Sequence, residues 1–387
     1  MSNVSINELS ILTLLKKLIT IESVNPSLVN GGSGEEEIAK FIGEFLEKRE
    51  FDIEYQKIDD NRMNVIGVLH GNGLGKSLML NGHTDTVGIS DMQIDALKPV
   101  FKEGRVYGRG SFDMKGGLAA MMILGEFFAN SKQKLSGDLI LAFVADEEFA
   151  SRGTEELVKK YTADSAIVTE PTGLQVVTAH RGFAWGRIDI EGRAVHGSLY
   201  EQGIDAIIKA GKVLLGLERI ESGFTELPKH PLLGRPSIHA SLISGGTELS
   251  TYPSSCSLQY ERRTLPHEYR KNVELELQSL LREVQKLDPD FRAISDIFFY
   301  RPGLETKHDT PIIQEITRSA LEVTSVKPEL IGALWWTDAA LLSEAGIPSV
   351  LFGSSGEGGH APIEYVDFDS LIKTTKILAT TIMNYCK

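Results

Sequence analysis

Residues 138–148 read DLILAFVADEE, a mostly apolar run that ends in three consecutive acids. A near-continuous apolar run of this length suits a strand covered on both faces, because a half-exposed strand would alternate apolar and polar positions. Acids that follow such a strand fall at the carboxyl edge of a sheet, where open parallel sheets collect their ligand sites. The same slot recurs along the chain. SLML ends before His83 and Asp85 in LMLNGHTDTVG, AIVT ends at Glu170 in AIVTEPTG, and PSVLF ends shortly before His360 in VLFGSSGEGGHAP. Asp113, in GRGSFDMKGG, opens a glycine-flanked loop just ahead of the buried-helix pattern LAAMMILGEFFAN. With Glu147 and Glu148, these side chains can converge on one crevice despite their wide separation in sequence.

Around that run the fold class follows. NVIGVLH, SLMLNG, DLILAFVA and AIVTE alternate with helical patterns, which predicts an α/β fold with a mostly parallel sheet and helices on both faces. Near Arg181 the texture changes, and FAWGRIDIEG and SCSLQYERRTL alternate apolar and polar residues as antiparallel strands do. Two amphipathic helices, DAIIKAGKVLLGLERI and EYRKNVELELQSLLREVQKL, and two strands, SIHASLI and AISDIFFY, complete the order strand–helix–strand–strand–helix–strand. That order predicts an inserted ferredoxin-like α+β domain. After about Tyr300 the first texture returns, with a helix near Thr310–Val323 and the strand PSVLF. The expected organisation is a first sheet domain over 1–181, the insertion over 182–300, and a closing segment over 301–387.

At 387 residues the chain exceeds the size at which one core usually keeps growing, in keeping with two domains. A formal net charge of -13 argues against a nucleic-acid groove or an anionic membrane surface as partner. The N-terminal stretch is interrupted by acids and carries Leu9, Leu12, Leu15, Leu18 and Ile19 at helical spacing, so it reads as a surface helix rather than a signal peptide. No apolar run approaches the ~20 residues that span a bilayer. Cys256 and Cys386 lie far apart in no metal-binding spacing, which fits inert thiols and a cytoplasmic setting. GNGLGKS at Gly71–Ser77 resembles a phosphate loop, but His70 stands where its first glycine belongs and a strand follows instead of a helix.

Imidazoles and carboxylates without thiolates suit zinc, with cobalt or manganese as substitutes. Two divalent ions in such a site share a carboxylate, and Asp113 is the best bridging candidate because its glycines allow close backbone approach. Asp85, two residues from His83, is placed to accept the imidazole's second N–H. Of Glu147 and Glu148, one carboxylate can hold metal while the other takes a proton from water. Asp146 reads as a capping or supporting residue. His70, His180, His230, His239, His267 and His308 read as structural or exposed, and Trp335 and Trp336 as either pocket lining or core.

GHTDTV, GRGSFDMKGG, DEE, TEP and GGHAP, in this order and spacing, resemble the co-catalytic zinc amidohydrolases that include acetylornithine deacetylase, succinyl-diaminopimelate desuccinylase, aminoacylase-1 and glutamate carboxypeptidase. The resemblance covers nearly the whole chain. It implies that His83, Asp113 and Glu170 hold one metal ion, that Asp113, Glu148 and His360 hold the other, and that Glu147 is general base and acid. It also implies a cis peptide after Asp113 and a lid and dimerisation role for the insertion. There EGRAVHGS makes His196 an oxyanion stabiliser that reaches the partner subunit's site, and ERRTLP makes Arg263 the anchor for a substrate carboxylate. Two positions depart from the family pattern: Ser250 where Asn is common, and His267 where glycine often follows the proline. The implied activity is hydrolysis of an N-acyl amino acid by a metal-bridging hydroxide in a homodimer. An exopeptidase or dipeptidase on the same site is the alternative, and a silent binding protein on the same scaffold a more distant one.

Overall fold

The computed structural model describes residues 6–132 and 134–387. These divide into two compact units. One comprises the chain up to Thr178, Thr306–Ile331 and Thr337–Lys387, and the other comprises Ala179–Glu305 and Gly332–Trp336.

The first unit is built on a mixed sheet. Its strands run in the order Asp52–Asp59, Arg62–Leu69, Leu139–Val144, Leu78–His83, Ser165–Val168, Ser349–Leu351 and Val176–His180. Among the strands just named, the parallel pairings join the four from Leu139–Val144 to Ser349–Leu351. The flanks are antiparallel. That narrows the expectation of a mostly parallel sheet, and the reason is local: Asp52–Asp59 and Arg62–Leu69 are joined by too few residues for a crossover, so they can only form a hairpin. Every residue of Leu78–His83 and of Leu139–Val144 is buried, as expected for strands covered on both faces.

Helices Glu8–Thr20, Glu36–Glu47, Lys115–Ala129, Pro311–Thr324 and Phe368–Tyr385 contribute to one apolar core with these strands. Lys115–Ala129 is buried on nearly every side, consistent with its all-round apolar sequence. The first helix starts where the Asn7 side chain accepts the N–H groups of Leu9 and Ser10. Its buried stripe is Ile11, Leu14, Leu15, Leu18 and Ile19, whereas Leu9 is 69% exposed. The stripe expected from the leucines alone was therefore turned slightly, because Ile11 and Leu14 complete the i, i+3, i+4 pattern better than Leu9 and Leu12. No helix among the described residues is long and apolar enough to cross a membrane.

The second unit has the order strand Gly182–Glu191, helix Ala206–Gly223, strands Ser237–Gly245 and Ser255–Thr264, helix Arg270–Leu287 and strand Arg292–Arg301. Its four-stranded sheet runs Ser237–Gly245, Ser255–Thr264, Gly182–Glu191, Arg292–Arg301, entirely antiparallel, as in ferredoxin-like folds. Ser255–Thr264 alternates in burial along its length, so one face packs Leu258 and Tyr260 against both helices' Leu217, Leu277 and Leu280.

Candidate metal centre

The first unit brings His83, Asp85, Asp113, Glu147, Glu148, Glu170 and His360 into one cluster. Strand Leu78–His83 ends with a buried imidazole whose Nε2 lies 3.1 Å from Asp113 Oδ1 and 3.5 Å from Glu170 Oε1. On the other side of Asp113, Oδ2 lies 3.5 Å from His360 Nε2, and that nitrogen is 2.8 Å from Glu148 Oε2. Two triads result, His83–Asp113–Glu170 and Asp113–Glu148–His360, each with donor atoms within 4.8 Å of one another. Asp113 belongs to both, one carboxylate oxygen facing each triad.

The Asp113–Met114 peptide bond is cis. The turn before His360 needs glycine at 358, where φ is +87° and a Cβ would lie 1.9 Å from the Ile363 carbonyl oxygen. Asp146 and His360 themselves have φ of 71° and 64°, the left-handed region that Asp and His enter more readily than most residues.

Asp85 does more than face the His83 imidazole. The Nδ1 of His83 meets the Asp85 main-chain carbonyl at 3.0 Å, while the carboxylate stands 3.6 Å away. The carboxylate also accepts the backbone N–H of Glu147 at 3.2 Å and of Glu148 at 3.1 Å. A buried carboxylate thereby satisfies two adjacent peptide groups just beyond the strand end while its charge stays beside the imidazole. Asn25, unremarked in the sequence, donates to Asp85 at 2.8 Å and to Asp146 at 3.1 Å. Beneath them Arg62 and Glu35 pair with both side chains almost fully buried, and Arg62 also reaches Asp146 at 2.9 Å. An aspartate in ALWWTDAA was also missed: Asp338 is buried, accepts from Thr154 at 2.7 Å, and adds to the field at Glu147.

The charge state of the cluster tests whether cations fit. Burial and the neighbouring acids push Glu170 up to about 8, and burial foremost, with Glu170, Asp338 and Glu148, pushes Glu147 well up. Hydrogen bonds that His360 donates to Asp113 and Glu148 push it up to about 10. Burial opposes a charge on His83, but Glu170, Asp113 and Asp85 outweigh it and raise its pKa. Glu147, Glu148 and Glu170 driven to hold protons beside imidazoles driven to hold them mark a site short of positive charge. Against the pull of burial, the hydrogen bonds with His360 and His83 hold the Asp113 carboxyl below the usual carboxylate range. Glu148 Oε1 is moreover buried without a hydrogen-bond partner, a costly arrangement for a carboxylate oxygen unless a cation meets it. The donor set of imidazole and carboxylate oxygens fits zinc or a similar divalent ion.

The remaining site candidates lie in the second unit. His196 is exposed, with Nδ1 2.8 Å from Ser198 Oγ. Ser250, also exposed, accepts the Gly197 N–H at its carbonyl, 2.7 Å away. Arg263 pairs with Glu261 and lies over the Phe183 ring at 5.2 Å. Trp336 donates from Nε1 to the Pro302 carbonyl at 2.8 Å and packs edge-on to Phe183, a structural role, while Trp335 is half exposed. Both cysteines are free and buried.

Comparison with known proteins gives a consistent picture. Residues 79–384 match the model of peptidase family M20/M25/M40. The chain is 28% identical over 351 residues to an acetylornithine deacetylase from Myxococcus xanthus, covering 88% of this chain and 90% of that protein. It is 27% identical to an N-formyl-4-amino-5-aminomethyl-2-methylpyrimidine deformylase from Bacillus subtilis, covering 97% and 94%. A solved Bacillus subtilis structure, described as a dinuclear metal-binding peptidase of the M20 family, superposes with a TM-score of 0.75 at 16% identity, covering 98% of each chain; at that identity the likeness shows the fold.

Proposed function

The chain belongs to peptidase family M20/M25/M40 and is a metal-dependent hydrolase of amide bonds, and on that premise we propose that it removes the acyl group from an N-acyl amino acid. The observation that carries the proposal is the sharing of Asp113 between two ligand triads. His83, Asp113 and Glu170 would hold one divalent ion, and Asp113, Glu148 and His360 would hold the second, both zinc by preference. Such ions would supply Lewis acidity toward a carbonyl oxygen and lower the pKa of a bound water.

The residues of the chain do the rest. Glu147 takes a proton from the attacking water and returns it to the departing amine. Its backbone is held by Asp85, which keeps the two glutamates in fixed relation. His196 steadies the oxygen of the tetrahedral intermediate by hydrogen bonding, and Arg263, with Ser250 beside it in role, receives the substrate's free carboxylate. The relatives named as a deacetylase and a deformylase support an acyl substrate over a peptide.

The working form we propose is a cytoplasmic homodimer. Strand Ser237–Gly245 is an edge of its sheet and exposes Leu242 and Ile243, and the following loop exposes Leu249. On helix Ala206–Gly223, Ile207, Ile208 and Leu215 are exposed as well. A bare edge strand beside apolar side chains is the kind of surface a second copy covers.

The test is hydrolysis of a panel of N-formyl, N-acetyl and N-succinyl amino acids and dipeptides by chelator-treated protein reloaded with zinc, cobalt or manganese. Turnover of acyl amino acids only after reloading is the expected result. Preference for dipeptides across the panel would replace deacylation with exopeptidase activity.

A further inference from the structure

Glu364 lies four residues after His360 and is fully buried, yet it is not within reach of either triad as a ligand in the arrangement above. Its carboxylate is occupied by the loop that carries Asp113. Oε2 accepts from Arg109 Nη1 at 2.9 Å and from the Gly110 N–H at 2.9 Å. Oε1 accepts from the Phe112 N–H at 2.9 Å and the Asp113 N–H at 3.1 Å. Four donors satisfy about all the acceptor capacity of one carboxylate. Arg109 is itself buried and donates through Nε to the Gly88 carbonyl at 3.2 Å, so its end of the contact is anchored too.

The backbone around Glu364 is equally fixed. Strand Tyr365–Asp367 pairs with strand Arg105–Tyr107, and the ladder continues through the Gly108 N–H to the Glu364 carbonyl at 3.2 Å. Both ligand-bearing loops therefore leave the same ladder, one toward Asp113 and one back toward His360. The turn at Gly358 folds the His360 segment onto Ile363, the residue before Glu364. A single side chain thus ties the loop of the shared carboxylate to the segment of the second imidazole.

We infer that Glu364 is a positioning residue that sets the separation of Asp113 and His360, and hence the affinity of the paired ion site. The inference rests on the metal reading above and adds to it a residue that touches neither ion nor substrate. Substitution by glutamine is diagnostic because it keeps the shape. All four partners of the carboxylate are donors, so the new amide NH2 must face two of them, either Arg109 and Gly110 or Phe112 and Asp113. One half of the clamp is lost whichever way the amide turns.

The experiment titrates metal-free wild-type and Glu364→Gln proteins with Co²⁺, following the absorption spectrum and the number of ions bound, at a temperature where circular dichroism shows both folded. The expected result is two ions in each protein, a 10–100-fold weaker affinity in the variant, an altered cobalt spectrum, and a fall in kcat with little change in KM. Two ions bound by both proteins with equal affinity and identical spectra would overturn the role of Glu364 alone. A wild-type chain that takes up no ion would overturn the metal reading and this inference with it. Should Glu364→Gln fail to fold, hydrogen exchange in the metal-free wild-type protein decides the matter. Protection of the Gly110, Phe112 and Asp113 amides supports the clamp, and exchange as fast as in open loops refutes it.

Discussion

The carboxylate of Asp85 accepts the backbone N–H of Glu148 at 3.1 Å, so the loop that follows His83 holds the turn that carries the acid pair. Its other oxygen accepts the Glu147 N–H, and Asn25 donates to the same carboxylate from behind. Asp85→Asn replaces one acceptor oxygen with an NH2 group that must face a donor. The expected consequence is a loss of about 10–100-fold in metal affinity or turnover, the range for residues that orient ligands. Calorimetric titration of the variant with zinc, alongside its kcat, measures both. Unchanged values for the two would show that the glutamate turn holds itself.

Glu147 and Glu148 are adjacent, but only Glu148 lies in a ligand triad. Glu147→Gln removes the proton acceptor and leaves both triads whole. Metal content should stay at the wild-type level while kcat falls by about 10²–10⁴, the contribution of a placed general base. Elemental analysis and steady-state kinetics on one preparation separate the two effects. Substantial turnover in a metal-loaded variant removes Glu147 from the proposed reaction.

Much of this was legible before any coordinates. Residues 138–148 announced a doubly covered strand because seven apolar residues in a row have no polar face to show, and Leu139–Val144 is buried throughout. The convergence of His83, Asp113, Glu148, Glu170 and His360 followed from their common place at strand ends and on a helix-leading loop. What could not be read was the layer of contacts beneath them. Asp85 reads as an imidazole partner by spacing, and only the geometry shows that its main-chain carbonyl lies nearer to Nδ1 and that its carboxylate also holds the glutamate turn. Asn25, Glu35, Arg62, Asp338 and Glu364 carry no motif of their own, because hydrogen bonding across long sequence separations leaves no periodicity. A faint signal did exist for Glu364, an acid four residues beyond His360 and just ahead of an apolar strand. The antiparallel flanks of the sheet were equally available in principle, from the short link between residues 59 and 62.

In the second unit, Asp288 just after helix Arg270–Leu287 accepts from Lys209 and Lys212 of the preceding helix, each at 2.6 Å. Burial works to raise its pKa, but the two ammonium groups prevail and hold it down at about 2. A carboxyl group with a folded pKa below its unfolded value of about 3.9 stabilises the fold above that value. The contribution disappears as pH falls toward 2. Wild-type protein should therefore lose its stability advantage over Asp288→Asn between about pH 4 and pH 2, with a constant advantage at higher pH. Urea midpoints of both proteins across this range provide the measurement. A gap that stays constant down to pH 2 would mean the lysines contribute nothing through charge.

His196 offers the sharpest check on the dimer. The side chain is exposed in its own unit, bonded only locally to Ser198, as suits a group that acts outside its own surroundings. If it serves the partner subunit's site, His196→Ala and Glu147→Gln homodimers are each impaired for different reasons. A mixed dimer then contains one site with an intact Glu147 that receives His196 from the Glu147→Gln subunit. Random exchange of equal amounts makes half the molecules mixed, with one complete site in two, so activity should recover to about a quarter of the wild-type value. Exchange is verified independently by mixing differently tagged subunits and isolating the doubly tagged species. Doubly tagged dimers that remain as inactive as the parents would place His196 in its own subunit's site or outside the reaction altogether.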